Sequence, residues 1–174
     1  MSNFSAIYVQ LLDNSEAAFE EVNRVLKEKG YLFTLRYHQS KPWVQLWAEE
    51  AENLSYYVGQ IRAFFPQQRI IAIACQSVVD AIAYYDVQGD NTYRVLEYGF
   101  RQERTWEKVE GIPQAWESEI FSGREGYQAG DDLKVGEITP FFTNFDIQQL
   151  GQLLDLSGFG TPDFGENWTR EIFN

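Results

Sequence analysis

One cysteine, one histidine and one methionine occur in the 174 residues of this chain. A lone Cys75 can close no disulfide within the chain, so cysteine usage gives no sign of an oxidising compartment. It lies in the run Ile70-Ile71-Ala72-Ile73-Ala74-Cys75, where a small buried thiol is the expected occupant. His38 has no second imidazole or thiol beside it in sequence. As a general base or metal ligand it would have to work with carboxylates, and a hydrogen-bonded structural histidine is the simpler reading. No apolar run approaches the roughly 18–20 residues of a membrane helix. The opening MSNFSAIYVQLLDNSE lacks a basic stretch followed by an apolar one, so no secretory leader is expected. These absences point to a cytoplasmic protein.

The two halves differ in acids, not in cations. Residues 1–75 carry eight Asp/Glu and seven Lys/Arg, whereas residues 76–174 carry eighteen and seven, so almost all of the net charge of -12 belongs to the second half. Such a field repels phosphate backbones and disfavours nucleic acid as a partner. It would favour a basic protein or a cation, and it also keeps a protein soluble. Missing too are internal repeats, low-complexity runs and a Pro- or Ser-rich linker, which makes one domain over 1–174 the better count. A core half (1–75) would meet an acidic extension (76–174) near residue 76.

What the chain has in excess is aromatic: 13 Phe, 10 Tyr and 5 Trp, or 16%. Groups of that size fill a core or line a recognition surface. Along the chain, alternation predicts a strand at Ser5–Leu12, followed by an Asp13/Glu16 capping box. A helix bearing Ala18, Phe19, Val22, Val25 and Leu26 then runs to Gly30. Strands are expected at Tyr31–Tyr37 and Trp43–Ala48, and a helix from about Glu50 to Phe65, stopped by Pro66. A further strand follows at Ile70–Cys75. This strand–helix–strand–strand–helix–strand order is that of the ferredoxin-like arrangement, an α+β fold with an antiparallel sheet and two helices on one face.

The second half reads as a β-meander over Ile82–Val87, Thr92–Phe100 and Thr105–Glu110, with Gly89-Asp90-Asn91 as its first turn. Residues Ser122–Gly136 hold four glycines and read as loop. Asn144 or Asp146 is placed to cap a short last helix with Ile147, Leu150, Leu153 and Leu154, closed by Ser157-Gly158. The tail keeps Phe159, Phe164, Trp168, Ile172 and Phe173, enough apolar surface to pack on the body.

Chemistry-bearing patterns are few. Glu107, Glu110, Glu117 and Glu119 cluster around Trp106 and Trp116, and indole faces beside paired carboxylates suit carbohydrate binding or glycoside hydrolysis. In a strand, however, Glu107 and Glu110 point to opposite faces, which counts against that pair. Asp86, Asp90 and Asn91, or Asp131-Asp132, offer oxygen ligands without the alternation of a calcium loop. The glycines of 122–136 do not open a helix at phosphate-cradling spacing, and Ser77, Ser122 and Ser157 lie outside any nucleophile elbow. Arg94, Arg101 and Arg104 stand among Tyr93, Tyr98, Phe100 and Trp106, a mixture found both at protein interfaces and in guanidinium–ring stacks.

From Gln76-Ser77 through Tyr93-Arg94 to Trp106-Glu107, Gly111-Ile112-Pro113 and Trp116-Glu117, the chain resembles a group of bacterial proteins of no assigned function, cyanobacterial ones among them. It is also loosely similar to strand regions of small toxin-immunity proteins. The resemblance implies a bacterial cytoplasmic origin and carries no activity over to these residues. The expected function is therefore non-catalytic binding through an acidic, aromatic-rich surface comprising Arg94, Tyr98, Trp106, Glu107, Glu110, Trp116 and Glu117. No catalytic residue, metal or cofactor is assigned. A basic protein is the sharpest partner, and a homo-oligomer joined through strand edges is a third arrangement. The alternative is a carboxylate-based hydrolase or carbohydrate binder that uses Trp106, Trp116 and the neighbouring glutamates.

Overall fold

The computed structural model describes residues 3–47, 54–76, 81–100, 104–124, 127–137, 144–156 and 168–173. These form eight strands and four helices. The first six elements are β1 (Asn3–Gln10), α1 (Glu16–Glu28), β2 (Thr34–Tyr37), β3 (Trp43–Trp47), α2 (Leu54–Phe64) and β4 (Arg69–Gln76). The rest are β5 (Ala81–Gln88), β6 (Asn91–Tyr98), β7 (Trp106–Gly111), α3 (Ala115–Phe121), α4 (Asn144–Leu153) and β8 (Arg170–Ile172). One antiparallel sheet takes all eight strands in the order β7-β6-β5-β4-β1-β3-β2-β8.

Local chemistry sets the helix ends. The Ser15 hydroxyl, and not Asp13, caps α1 by accepting the Ala18 N–H at 3.1 Å. At the other end Gly30 takes φ +78, and its N–H reaches Lys27 C=O while the Tyr31 N–H reaches Leu26 C=O. That pair of bonds is a Schellman closure, and it explains why β2 starts at Thr34 instead of Tyr31. The Tyr31 N–H is already spent on the helix, and its ring packs at 6.0 Å from Phe33 and 5.4 Å from Phe64.

Period-2 alternation divides the sheet's side chains between two layers. One face carries Ile7, Val9, Leu35, Val44, Leu46, Ile70 and Ala72 against Phe19, Val22 and Leu26 of α1 and Val58 and Ile61 of α2. The opposite face carries Tyr8, Trp43, Ile71, Ile73, Tyr84, Leu96 and Trp106 against Trp116, Ile120 and Phe121 of α3 and Ile147 and Leu150 of α4. Central strands β4 and β5 are therefore buried on both sides, which is why their sequences run apolar with little alternation.

Helices on one face alone were expected, and the second helical layer corrects that expectation. Helix α3 lies between the meander and the Ser122–Gly136 loop, where no element is expected from the sequence. Its signals are Pro113 just ahead of it, the Gln114/Glu117 spacing, and Trp116, Ile120 and Phe121 on one stripe. The last helix forms as expected, with Ile147 and Leu150 buried and Leu153 39% exposed. The tail returns as β8, pairing Leu35 with Ile172 and Tyr37 with Arg170 at the far edge. Ser157-Gly158, Phe159, Phe164, Ser77 and Arg101 lie outside the described residues. Among the described residues no helix is long and apolar enough to cross a membrane.

Candidate functional site

The densest buried polar group sits on the α3 face, at the end of the sheet where β4 and β6 begin and β5 and β7 finish. Its foundation is a register shift. Val87 pairs with Thr92 and Asp86 with Arg94, so Tyr93 is an extra residue in β6. A bulge of this kind bends the strand and re-aims its side chains. The Tyr93 hydroxyl donates to Gln88 Oε1 at 2.9 Å, and its ring lies 5.4 Å from the Arg69 guanidinium.

Opposite the bulge the backbone of β7 comes very close. A Cβ on Gly111 would meet Tyr93 O at 2.1 Å, and Gly111 has φ +83. Only glycine fits a position that is both left-handed and this tight. The Ile112 N–H donates to Tyr93 O at 3.0 Å and locks the two strands there.

Arg94 projects from this bulge into a fully buried position. Its Nε donates to Glu117 Oε1 at 2.9 Å and its Nη2 to Glu117 Oε2 at 2.7 Å, a two-pronged pair. Nη2 also donates to Asp132 Oδ1 at 2.7 Å, and Nη1 to Gly111 O at 3.3 Å. Glu117 Oε1 accepts the Gln114 N–H at 2.7 Å as well, so one carboxylate holds the guanidinium and caps the start of α3. Burial pushes the Glu117 carboxyl above its ordinary value, against the downward pull of Arg94 and of the Gln114 N–H. Burial alone would lower Arg94, but Glu117 and Asp132 outweigh it and raise the guanidinium further.

A second pair stands beside the first. Asp86, fully buried, accepts Arg69 Nε at 2.7 Å and Nη2 at 2.6 Å. Tyr84, two residues earlier on the same face, meets Trp116 edge-on at 5.0 Å. Its phenol is pushed well above its ordinary value by burial first and by the Asp86 charge second. Arg69 and Tyr84 were not singled out from the sequence, and Asp86 and Asp132 were weighed only as cation ligands, whereas both are held by arginines. A carboxylate inside the apolar strand Ala81-Ile82-Ala83-Tyr84-Tyr85-Asp86-Val87 is the signal that could have found this pair, because a buried charge needs a partner.

The seven residues assigned to binding fall into three places. Arg94, Trp116 and Glu117 meet in the buried group just described. Tyr98 and Trp106 are also interior, with ring centroids 5.1 Å apart, and Trp106 is 2% exposed. Neither indole offers a face to a sugar from solvent. Only Glu107 and Glu110 reach the surface, on edge strand β7, where Glu110 is 52% exposed and lies 3.6 Å from Lys108.

Chemically this arrangement is a lock. Both Glu117 oxygens and both Asp86 oxygens are bound by guanidinium groups, so neither carboxylate can take a proton from a substrate without giving up its partner. Asp132, weighed as a cation ligand, is spent on Arg94. Among the described residues no group of three His, Cys, Asp or Glu side chains is placed to hold a metal ion. His38 Nδ1 lies 2.6 Å from the Ser40 hydroxyl at the β2–β3 turn, and Cys75 is buried. No family model, curated protein or solved structure matches the chain.

Proposed function

We propose that this is a non-catalytic binding protein whose acidic second half takes a basic protein partner. The observation that supports it is how the second half spends its cations. Of the seven Lys/Arg in residues 76–174, Arg94, Lys108, Arg124, Lys134 and Arg170 are each paired with a carboxylate of the same chain. Exposed acids remain, among them Asp90, Glu119 and Asp131. The paired interior holds α3 and the loop around Asp132 in shape, and the outward acids supply a field that steers a basic partner. Trp106 and Trp116 lie beneath this surface, where they support it.

We read the first six elements as a ferredoxin-like unit. The support is the order β4-β1-β3-β2 with α1 and α2 on one face, to which β5–β7 and the second helical layer are added. A bacterial cytoplasmic setting and an immunity-type role agree with this reading. The fold by itself selects no function.

The test is capture of purified basic proteins on the immobilised chain at about 20 mM and 300 mM salt, with Glu119→Lys/Asp131→Lys as the comparison. Capture that is lost on charge reversal and at high salt supports the reading. Capture indifferent to both, or none at low salt, overturns it.

A further inference from the structure

We infer that β7 is a self-pairing edge, through which two copies of this chain join their sheets about a two-fold axis at Val109. The phase of the ladder comes first. Ile112 N–H bonds Tyr93 O and Gly99 N–H bonds Thr105 O, which makes Arg94–Gly111 and Tyr98–Trp106 the pairs whose own N–H and C=O groups turn away from each other. Counting back by two from Gly111, Val109 also presents its N–H and C=O to the outer side of the sheet, while Lys108 and Glu110 bond inward to β6.

The ends of the available stretch are fixed. At Trp106 the outer edge is occupied, its N–H donating to Glu137 O at 3.0 Å and its C=O accepting from Gly136 N–H at 2.8 Å. At Gly111 the left-handed φ of +83 turns the chain off the strand line. Residues 107–111 lie between those limits, half-buried at Glu107, Lys108 and Val109 and exposed at Glu110 and Gly111. Val109 is the midpoint of this stretch. A two-fold axis through it pairs Val109 with Val109 in a bonded pair, Lys108 with Glu110 of the second copy, and Glu107 with Gly111 of the second copy.

Charge complementarity identifies the second copy as the occupant. Natural edges are protected by charges that collide when strands meet. Here the charges alternate in sign, so self-pairing sets Lys108 opposite Glu110 twice and no like charges opposite each other. The interface is isologous and closes as a dimer without leaving a free β7 edge. Just beyond the stretch, Ile112 is 76% exposed and Val135, next to the Gly136–Glu137 segment, is 63% exposed. Antiparallel pairing brings Ile112 of one copy to the Trp106 end of the other, where Val135 stands. The two exposed apolar side chains then cover each other.

A contact of five residues a side with two apolar ends belongs to the small class of interfaces, so the dimer is concentration-dependent. Sedimentation equilibrium across a wide concentration range tests it in four forms of the full chain. The parent should show monomer–dimer exchange. Lys108→Glu and Glu110→Lys, each placing like charges opposite one another twice, should each weaken it by roughly 10-fold or more. The double variant Lys108→Glu/Glu110→Lys restores both pairs and should restore the dimer. Both positions of this cycle are on the edge strand β7, and circular dichroism checks that each variant is folded. A strictly monomeric parent, a dimer indifferent to either single change, or a double variant as weak as the singles would each overturn the proposal.

Discussion

Replacing Arg94 by Met leaves Glu117 buried with its main partner gone, and the cost depends on pH. In the intact chain both carboxylate oxygens are held by Arg94 at 2.9 and 2.7 Å, and Glu117 is only 1% exposed. Breaking a buried pair from one side costs about 3–5 kcal/mol, because an uncompensated charge stays in the interior. The carboxyl can escape by taking up a proton. Burial already raises it above its ordinary 4.5, and without the guanidinium only the Gln114 N–H opposes that rise. A carboxyl whose folded value exceeds its unfolded value favours the folded state when protonated. Its penalty is absent below the unfolded value and grows as pH rises toward the folded one. Each unit of rise is worth about 1.4 kcal/mol, so the part of the deficit carried by this carboxyl depends on pH. Urea denaturation of R94M should therefore show a deficit of about 3–5 kcal/mol at pH 7 that narrows at pH values below the unfolded one. The companion E117L, and the double R94M/E117L, complete a cycle. The double variant should lose well under the sum of the single losses, since it leaves no charge unpaired at this position except Asp132, which is half exposed. A pH-independent deficit, or strictly additive losses, would show that the pair is not the lock described here.

Two other measurements probe the same framework from the backbone and from the aromatics. Gly30 and Gly111 share a left-handed φ, but a Cβ at Gly30 meets nothing within 4 Å, whereas at Gly111 it meets Tyr93 O at 2.1 Å. Gly30→Ala should cost about 1–2 kcal/mol, or roughly 2–8 °C in Tm for a chain of this size, and Gly111→Ala distinctly more; equal losses would mean that β6 yields freely at the bulge. Tyr84, Tyr85 and Tyr37 all have phenols raised above the ordinary 10.0, in each case by burial first. A raised folded-state value means that their contribution to stability is whole below about pH 10 and is lost as pH climbs through the folded values. Phenolate absorption should consequently lag during an alkaline titration and then rise together with loss of the far-ultraviolet signal. Smooth ionisation of all ten tyrosines near 10 in a folded protein would refute that.

Much of the fold was legible because side-chain period and end signals agree. Phe19, Val22 and Leu26 recur at helical spacing and do form the buried stripe of α1, while Gly30 does close it. The three strands read in the second half are β5, β6 and β7 with ends shifted by a residue or two, the usual error at boundaries. The second helical layer was harder to see for a physical reason. Seven residues of α3 span two turns, too few for a periodic pattern to separate Trp116, Ile120 and Phe121 from a strand or loop. Its start depends on Glu117 reaching back to the Gln114 N–H, yet Glu117 in the sequence is one more acid in an acidic stretch.

The site was half legible for a related reason. Arg94, Trp116 and Glu117 were singled out together, but as a surface, since residue types alone do not tell an interface from a buried network. What separates the two is the partner count of each charge, and the partners come from far along the chain. Arg69 and Asp86 are joined through β4–β5 pairing, and Arg94 reaches across to α3 and to the loop at Asp132. The bulge at Tyr93 is invisible in a list of residues because it is a property of register, and register is set between strands. Yet Gly111 carries its trace: a glycine ending a strand of Trp, Val and charged residues has a cause only once Tyr93 O is placed 2.1 Å from where a Cβ would be. The chain's acidity therefore does two separate jobs. Glu117, Asp86 and Asp132 hold an interior together, and the carboxylates that remain outside are the ones through which the proposed basic partner would be steered.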